Sequence, residues 1–268
     1  MVVFSDLDRS IIYSKKFISE KNDLLDIEIY NGENISYISK KTIELIEKIK
    51  SNSYFIPTTT RTIEQFKRID FKKYKIDFKY AITSNGGHIL IDGEIDKSYK
   101  LFVNDKLNES ATIEEAINLF YKYDIVEGVK KFKVAEDIFF YLVVDMEKID
   151  MKRLDVFAKN LEDLKWKTYT SGRKIYFLPN ELKKSTAVNY ICEKFGYKNT
   201  FSIGDSTMDE DMLDFCKYSY ILKHGDLINN LKNTDKFKIS EKEGFLGSEE
   251  ILRDIILCQN NINLKNNV

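Results

Sequence analysis

The chain has 268 residues, of which 32% are charged and 43% hydrophobic, with Lys+Arg at 42 against Asp+Glu at 43. That length allows one large domain or two smaller ones, and the composition is ordinary for a soluble globular protein. The balanced charge excludes a global field toward nucleic acid or an anionic membrane, and two histidines, His88 and His224, are too few for a multi-histidine zinc site.

The N-terminal run Val2-Val3-Phe4 reads as a buried strand, and Asp6 and Asp8 follow where it ends. In a parallel sheet the carboxyl ends of strands face the ligand crevice, so both acids are delivered to one mouth. Between Ile11 and Lys40, Asp26–Tyr30 alternates, Asn31-Gly32 supplies a hairpin turn and Asn34–Ile38 alternates back. This reads either as a flap beside the first strand or as a plain surface hairpin. Ile43, Ile46 and Ile49 mark an amphipathic helix, and Tyr54-Phe55-Ile56 a second buried strand ending at Pro57-Thr58-Thr59-Thr60-Arg61. A helix from about Thr62 to Ile69 and a strand Tyr80–Thr83 follow, broken by Asn85-Gly86-Gly87. Strand–helix alternation of this kind implies a parallel sheet.

The pattern changes over roughly Ile89 to Leu178. After a short hairpin come a helix bearing Ile113, Ala116, Ile117, Phe120 and Tyr121, and strands near Lys131–Val134 and Ile138–Val144. A helix with Leu154, Phe157, Ala158 and Leu161 leads to strands near Lys165–Tyr169 and Lys174–Leu178. Helix-strand-strand, twice, predicts a small antiparallel sheet under two helices, so the chain divides into a core at 1–87 and 179–268 and an inserted α+β domain at 88–178. The α/β style then returns with a helix at Ala187–Phe195, a strand Phe201–Ile203, a short helix Asp209–Phe215 and a strand Tyr218–Leu222. Glu249–Leu257 closes the fold, and the polar stretch from Gln259 is expected to fray. Cys192, Cys216 and Cys258 are odd in number and widely spaced, which suits reduced thiols. With no stretch long enough to span a bilayer and no signal-like N-terminus, a cytoplasmic protein is expected.

Three further segments fall at strand ends of the same sheet. Thr59 offers a hydroxyl, Lys184 a fixed charge at a helix start, and Gly204-Asp205-Ser206-Thr207-Met208-Asp209 two more acids after a tight turn. Such a cluster would repel a phosphate unless a divalent cation reverses the balance, and Mg²⁺ suits these hard oxygen donors. Pattern alone does not separate Lys184 from Lys183, or Thr59 from Thr58 and Thr60.

Asp6-Leu7-Asp8, Thr59, Lys184 and Gly204-Asp205-Ser206-x-x-Asp209 resemble, in order, the four signature segments of the haloacid dehalogenase superfamily. The αββαββ insert is similar to the caps of its sucrose-phosphate-phosphatase-like (Cof-like) and phosphomannomutase-like members. Ser-Asp-Leu-Asp-Arg-Ser, Pro-Thr-Thr-Thr-Arg-Thr and Ser-Asn-Gly-Gly-His resemble a bacterial phosphatase branch found beside tellurium-resistance genes.

The resemblance implies a Rossmann-like core with a cap and a Mg²⁺-dependent phosphatase acting on a small phosphorylated metabolite. Asp6 is then the nucleophile that forms an aspartyl-phosphate, and Asp8 the acid and base. Mg²⁺ falls to the Asp6 carboxylate, the Asp8 carbonyl and Asp205, with Asp209 orienting waters or Lys184. Thr59 bonds a phosphate oxygen and Lys184 screens Asp6 from the dianion. Thr60, Arg61 and Asn85 are candidate substrate contacts. Arg9-Ser10 stands where the family usually has Gly-Thr, so Ser10 replaces the threonine hydroxyl and Arg9 becomes a candidate contact to substrate or flap. The rivals are a phosphotransferase or mutase that uses the same Asp6, and a non-catalytic metabolite-binding module.

Overall fold

The computed structural model describes residues 1–18, 23–231 and 235–266. The N-terminal apolar run forms β1 (Val2–Ser5), buried throughout. The alternating stretch forms the hairpin β2 (Leu24–Tyr30) and β3 (Glu33–Ser39), whose turn residues Asn31 and Gly32 both take positive φ. Ser39 caps α1 (Lys40–Lys50) by accepting from the Thr42 amide. Next come β4 (Tyr54–Pro57) and α2 (Ile63–Lys67), the latter started by a reciprocal Thr62–Gln65 capping box. β5 (Tyr80–Thr83), β6 (His88–Ile91) and β7 (Glu94–Ile95) form an antiparallel meander, followed by α3 (Lys97–Leu107) capped by Asp96. The insert then runs α4 (Ile113–Lys122), β8 (Val129–Ala135), β9 (Phe139–Val144), α5 (Met151–Glu162), β10 (Trp166–Ser171) and β11 (Lys174–Pro179). The chain finishes with α6 (Lys184–Phe195), β12 (Thr200–Gly204), α7 (Glu210–Phe215), β13 (Tyr218–Ile221), β14 (Phe237–Ile239) and α8 (Gly244–Asn266).

The α/β core is a five-stranded sheet in the order β14-β13-β12-β1-β4, and every pairing in it is parallel. The register sets Ser5 opposite both Pro57 and Ile203, so the chain leaves β1, β4 and β12 side by side at one edge. Alternation along β1 splits the core into two packed faces. Val3 packs with Ile46 of α1 and Leu252 of α8, while Val2 and Phe4 pack with Val103 of α3, Val188 of α6 and Met212 of α7. β5 was expected in the parallel sheet; it meets β4 through a single parallel bridge, Thr58 to Ile82, and takes its strand partner from β6 instead.

The insert is a four-stranded antiparallel sheet in the order β10-β11-β9-β8. Phe140, Leu142, Ile175 and Phe177 are buried on the face under α4 and α5, where Phe120 meets Phe157 at 5.4 Å and Phe140 meets Phe177 at 4.8 Å. The residues between them, Tyr141, Val143, Lys174 and Tyr176, stand on the other face. α3 has no counterpart in the pattern-based expectation, and its Tyr99 and Val103 are buried with Ile89 in the α/β core. α8 is longer than expected: Gln259 is buried and donates to Ser53 Oγ at 2.8 Å, which holds the helix on past the point where polar composition suggested fraying.

Candidate active site

At the edge where β1, β4 and β12 end, Lys184 stands at the first turn of α6 with a side chain 1% exposed. Its Nζ donates to Asp6 Oδ1 at 2.7 Å and to Asp209 Oδ1 at 2.6 Å. Lys183 turns outward to Glu181, 3.0 Å away, so the geometry separates the two lysines that pattern could not. Asp209 Oδ2 accepts from the amides of Asp205 and Ser206 at 3.1 and 3.0 Å and from Ser206 Oγ at 2.9 Å. Gly204 makes this closeness possible, since a Cβ there would lie 2.5 Å from the Asp209 Cβ.

Burial works hardest on Asp6. It pushes the carboxyl up to about 7 against the pull of Lys184, and Asp209 and Asp8 add to the rise. Asp205 is likewise raised well above its ordinary value, by burial first and then by Asp6 and Asp209. Lys184 gains more from the two acids than it loses to burial, and its pKa is raised.

The mouth of the site is governed by arginines. Arg9 takes φ 65°, the left-handed conformation that favours glycine over residues with a Cβ. The fold holds it in place: Arg9 donates to the His224 carbonyl at 2.8 Å, and His224 Nε2 meets the Arg9 carbonyl at 2.9 Å. Its Nε lies 3.3 Å from Asp205 Oδ2, close enough to pair but without an aligned hydrogen bond. Ser10 is fully buried, and its hydroxyl has no hydrogen-bond partner among the described residues. Asp8 is exposed at the mouth and gripped by Arg61 through two bonds, Nε–Oδ2 at 2.6 Å and Nη2–Oδ1 at 2.8 Å. The surrounding protein works to raise the Asp8 pKa, but the Arg61 charge and hydrogen bonds win and hold it below its ordinary value.

Behind Arg61 stands a residue that sequence reasoning passed over. Glu28, on β2 of the hairpin, has a fully buried side chain and binds Arg61 at 2.9 Å and Arg68 at 3.2 Å. The hairpin is therefore tied to the site, as a flap requires. An irregular register around Glu28 turns both Ile27 and Glu28 inward, which breaks the period of two and hides the carboxylate from pattern.

Thr59 is buried and accepts from the Arg61 amide at 3.2 Å, whereas the Thr58 hydroxyl bonds back to the Ile56 carbonyl and Thr60 is half-buried. Thr59 thus keeps a hydroxyl proton to donate. Asn85 takes φ 56°, and its amide donates to the Leu182 carbonyl at 3.2 Å, tying the end of β5 to the loop before α6. Gly86 beside it takes φ 95°, and a Cβ there would run into the Lys183 carbonyl.

The acids fit a divalent cation. Asp6, Asp205 and Asp209 each bring an oxygen to within 4.8 Å of the others, and Asp205 Oδ2 is buried without accepting a hydrogen bond from any of the described residues. Hard carboxylate oxygens gathered in this way suit Mg²⁺. Asp209 has both oxygens occupied by Lys184, two amides and a hydroxyl, which leaves Asp6 and Asp205 as the open donors.

A family model for haloacid dehalogenase-like hydrolases matches residues 120–240, a span that holds Lys184, Asp205 and Asp209. No curated protein sequence matches the chain. Among solved structures, the sucrose-phosphatase of Synechocystis sp. PCC6803, in complex with sucrose and phosphate, superposes with TM-score 0.70 at 14% identity, over 95% of this chain and 96% of that one. A haloacid dehalogenase-like hydrolase protein of Bacillus subtilis gives TM-score 0.56 at 17% identity, over 95% of this chain and 91% of its own. A trehalose-6-phosphate phosphatase related protein gives 0.55 at 15% identity, over 97% and 99%. These likenesses establish the fold across core and insert together. Over residues 120–240 the chain is similar to the haloacid dehalogenase-like hydrolases.

Proposed function

We propose that the chain is a Mg²⁺-dependent phosphatase that hydrolyses a small phosphorylated metabolite through an aspartyl-phosphate on Asp6. One observation carries the reading: a buried carboxylate, Asp6, is held by Lys184 beside an oxygen of Asp205 that accepts no hydrogen bond among the described residues, where three parallel strands end. The names of two structural neighbours, a sucrose-phosphatase and a trehalose-6-phosphate phosphatase related protein, support a sugar phosphate as the substrate class. The insert, expected over 88–178, acts as a cap over the crevice. Among the described residues no helix is long and apolar enough to cross a membrane, and the three cysteines are free, which supports a cytoplasmic setting.

Lys184 occupies Asp6 Oδ1, so Oδ2 is the oxygen left to attack phosphorus. As the Asp6–phosphorus bond forms, the ester bond breaks and Asp8 gives its proton to the leaving oxygen. Asp8 then takes a proton from water, the water oxygen attacks phosphorus, and the bond to Asp6 breaks to release phosphate. Bound at Asp6 and Asp205, Mg²⁺ would neutralise the repulsion among the acids and draw charge from the phosphoryl oxygens. Thr59 donates to a phosphoryl oxygen. The Arg61 grip keeps Asp8 ionised, so Asp8 becomes an acid only once Arg61 turns to the arriving substrate. Without that partner the surrounding protein raises the carboxyl, which takes a proton from solvent before it donates one to the leaving oxygen.

The test is phosphate release from a panel of phosphorylated metabolites with and without Mg²⁺. Release is expected only with the metal and is expected to vanish in Asp6→Asn. Turnover retained in that variant overturns the mechanism.

A further inference from the structure

Above Asp8, the inner face of the insert carries a row of rings and lysines. β9, β11 and β10 place Tyr141, Tyr176 and Tyr169 directly across from one another. Tyr176 lies within electrostatic reach of Asp8 and Asp6, and Lys174 within reach of Asp8, Arg61 and Glu28. Gln65, at the core's edge, donates to the Tyr141 hydroxyl at 3.5 Å, which fixes this face over the crevice.

Lys174 has an unusual position. Its Nζ lies 5.5 Å from the Tyr141 ring centre and 6.0 Å from that of Tyr176, and among the described residues no carboxylate stands within ion-pair distance of it. Asp8 is already held at both oxygens by Arg61, and Glu28 is shared by Arg61 and Arg68. Three cations, Lys174, Arg61 and Arg68, therefore face two anions, and the surplus charge is Lys174. Lys174 is exposed toward the crevice, so its charge is open to a ligand that enters there, and the nearby protein works to lower its pKa.

The placement also says where on the ligand that charge lies. Asp8 serves the leaving oxygen, so whatever sits over Asp8 belongs to the leaving group and not to the phosphoryl group. We propose that the substrate carries a second anionic group on its leaving-group side, bound by Lys174, with the tyrosine row flanking the body between the two charges. This rests on the phosphatase reading and narrows it from phosphate esters in general to esters bearing a further carboxylate or phosphate.

The test uses pairs of esters that differ only in a terminal charge: 6-phosphogluconate against sorbitol 6-phosphate, and 3-phosphoglycerate against glycerol 3-phosphate. Each is titrated calorimetrically, with Mg²⁺, into the Asp6→Asn protein, where turnover does not interfere. The carboxylated member of at least one pair is expected to bind about tenfold tighter. Adding Lys174→Gln is expected to remove most of that preference, and adding Lys174→Arg to keep it. Equal affinities within both pairs, or a preference that survives Lys174→Gln, overturns the proposal. Hydrolysis of p-nitrophenyl phosphate by the wild-type protein is read separately. Its absence counts against the phosphatase reading itself, whatever the titrations give.

Discussion

Asp6 is held where burial opposes its charge, so replacing it is expected to stabilise the metal-free protein while abolishing turnover. Its pKa rises from 3.8 to about 7, and each unit corresponds to about 1.4 kcal/mol. Ionised Asp6 therefore costs the fold up to about 4 kcal/mol, an order-of-magnitude ceiling. That shift already contains the pull of Lys184, and Asn at position 6 removes the charge while keeping a side-chain oxygen for Lys184. The gain for Asp6→Asn is thus bounded by about 4 kcal/mol, or on the order of ten degrees at roughly 2–4 °C per kcal/mol. The sign depends on pH. Between pH 4 and 7, roughly, the folded wild-type protein keeps a proton that the unfolded chain has lost, so its stability falls as pH rises through this window and levels off above it. The advantage of Asp6→Asn should be absent near pH 4, open toward pH 7 and stay open at pH 8. Melting temperatures of both proteins in EDTA across pH 4–8 measure it. A variant no more stable at pH 8, or a difference flat across the range, refutes the claim that Asp6 is strained by burial.

Mg²⁺ should raise the melting temperature of the wild-type protein far more at pH 8 than at pH 5, because the cation must displace the Asp6 proton; a shift independent of pH counts against Asp6 as a ligand. Lys184→Met leaves Asp6 and Asp209 facing each other with no shared cation, and the metal-free protein should lose about 3–5 kcal/mol by denaturant unfolding, partly recovered on acidification. Glu28→Ala removes the buried anion that holds Arg61 and Arg68 and should cost about 3–5 kcal/mol, with a change in the pH profile of kcat as Arg61 shifts on Asp8. Phe177→Ala empties a fully buried position between Phe140 and Phe157 and should cost about 3–5 kcal/mol.

The elements that local pattern specifies were legible in the sequence. β1, β4 and β12 are short apolar runs ended by polar turns, and such runs read as buried strands whatever their surroundings. Their adjacency, which brings Asp6, Lys184 and Asp205 together, followed from strand–helix alternation and not from any single motif. Where the sequence was silent, tertiary contact had overridden period. α3 carries a poorly segregated mix of Tyr99, Leu101, Phe102 and Val103, and its helicity rests on packing against β6 and α6 rather than on a clean stripe. β5 looked like a parallel strand because of its neighbours in the chain, yet the left-handed turn at Ser84–Gly86 sends β6 straight back along it.

The residues missed around the site share one physical cause. Asp6, Asp205 and Lys184 sit at strand and helix ends, positions that sequence marks clearly. Glu28 and Tyr176 instead reach the crevice from within strands, and Lys174 from the first residue of one. A charged residue in mid-strand reads as solvent-facing because alternation assigns only in or out, and it carries no information about what lies above the outer face. For this chain the outer face of β11 and the irregular stretch of β2 at Glu28 look onto the mouth of the site, which is how side chains resembling surface polar residues come to surround Asp8. Candidate catalytic positions on the core sheet are therefore more readable from sequence than the contacts of flap and insert, the set to which the proposed choice of substrate belongs.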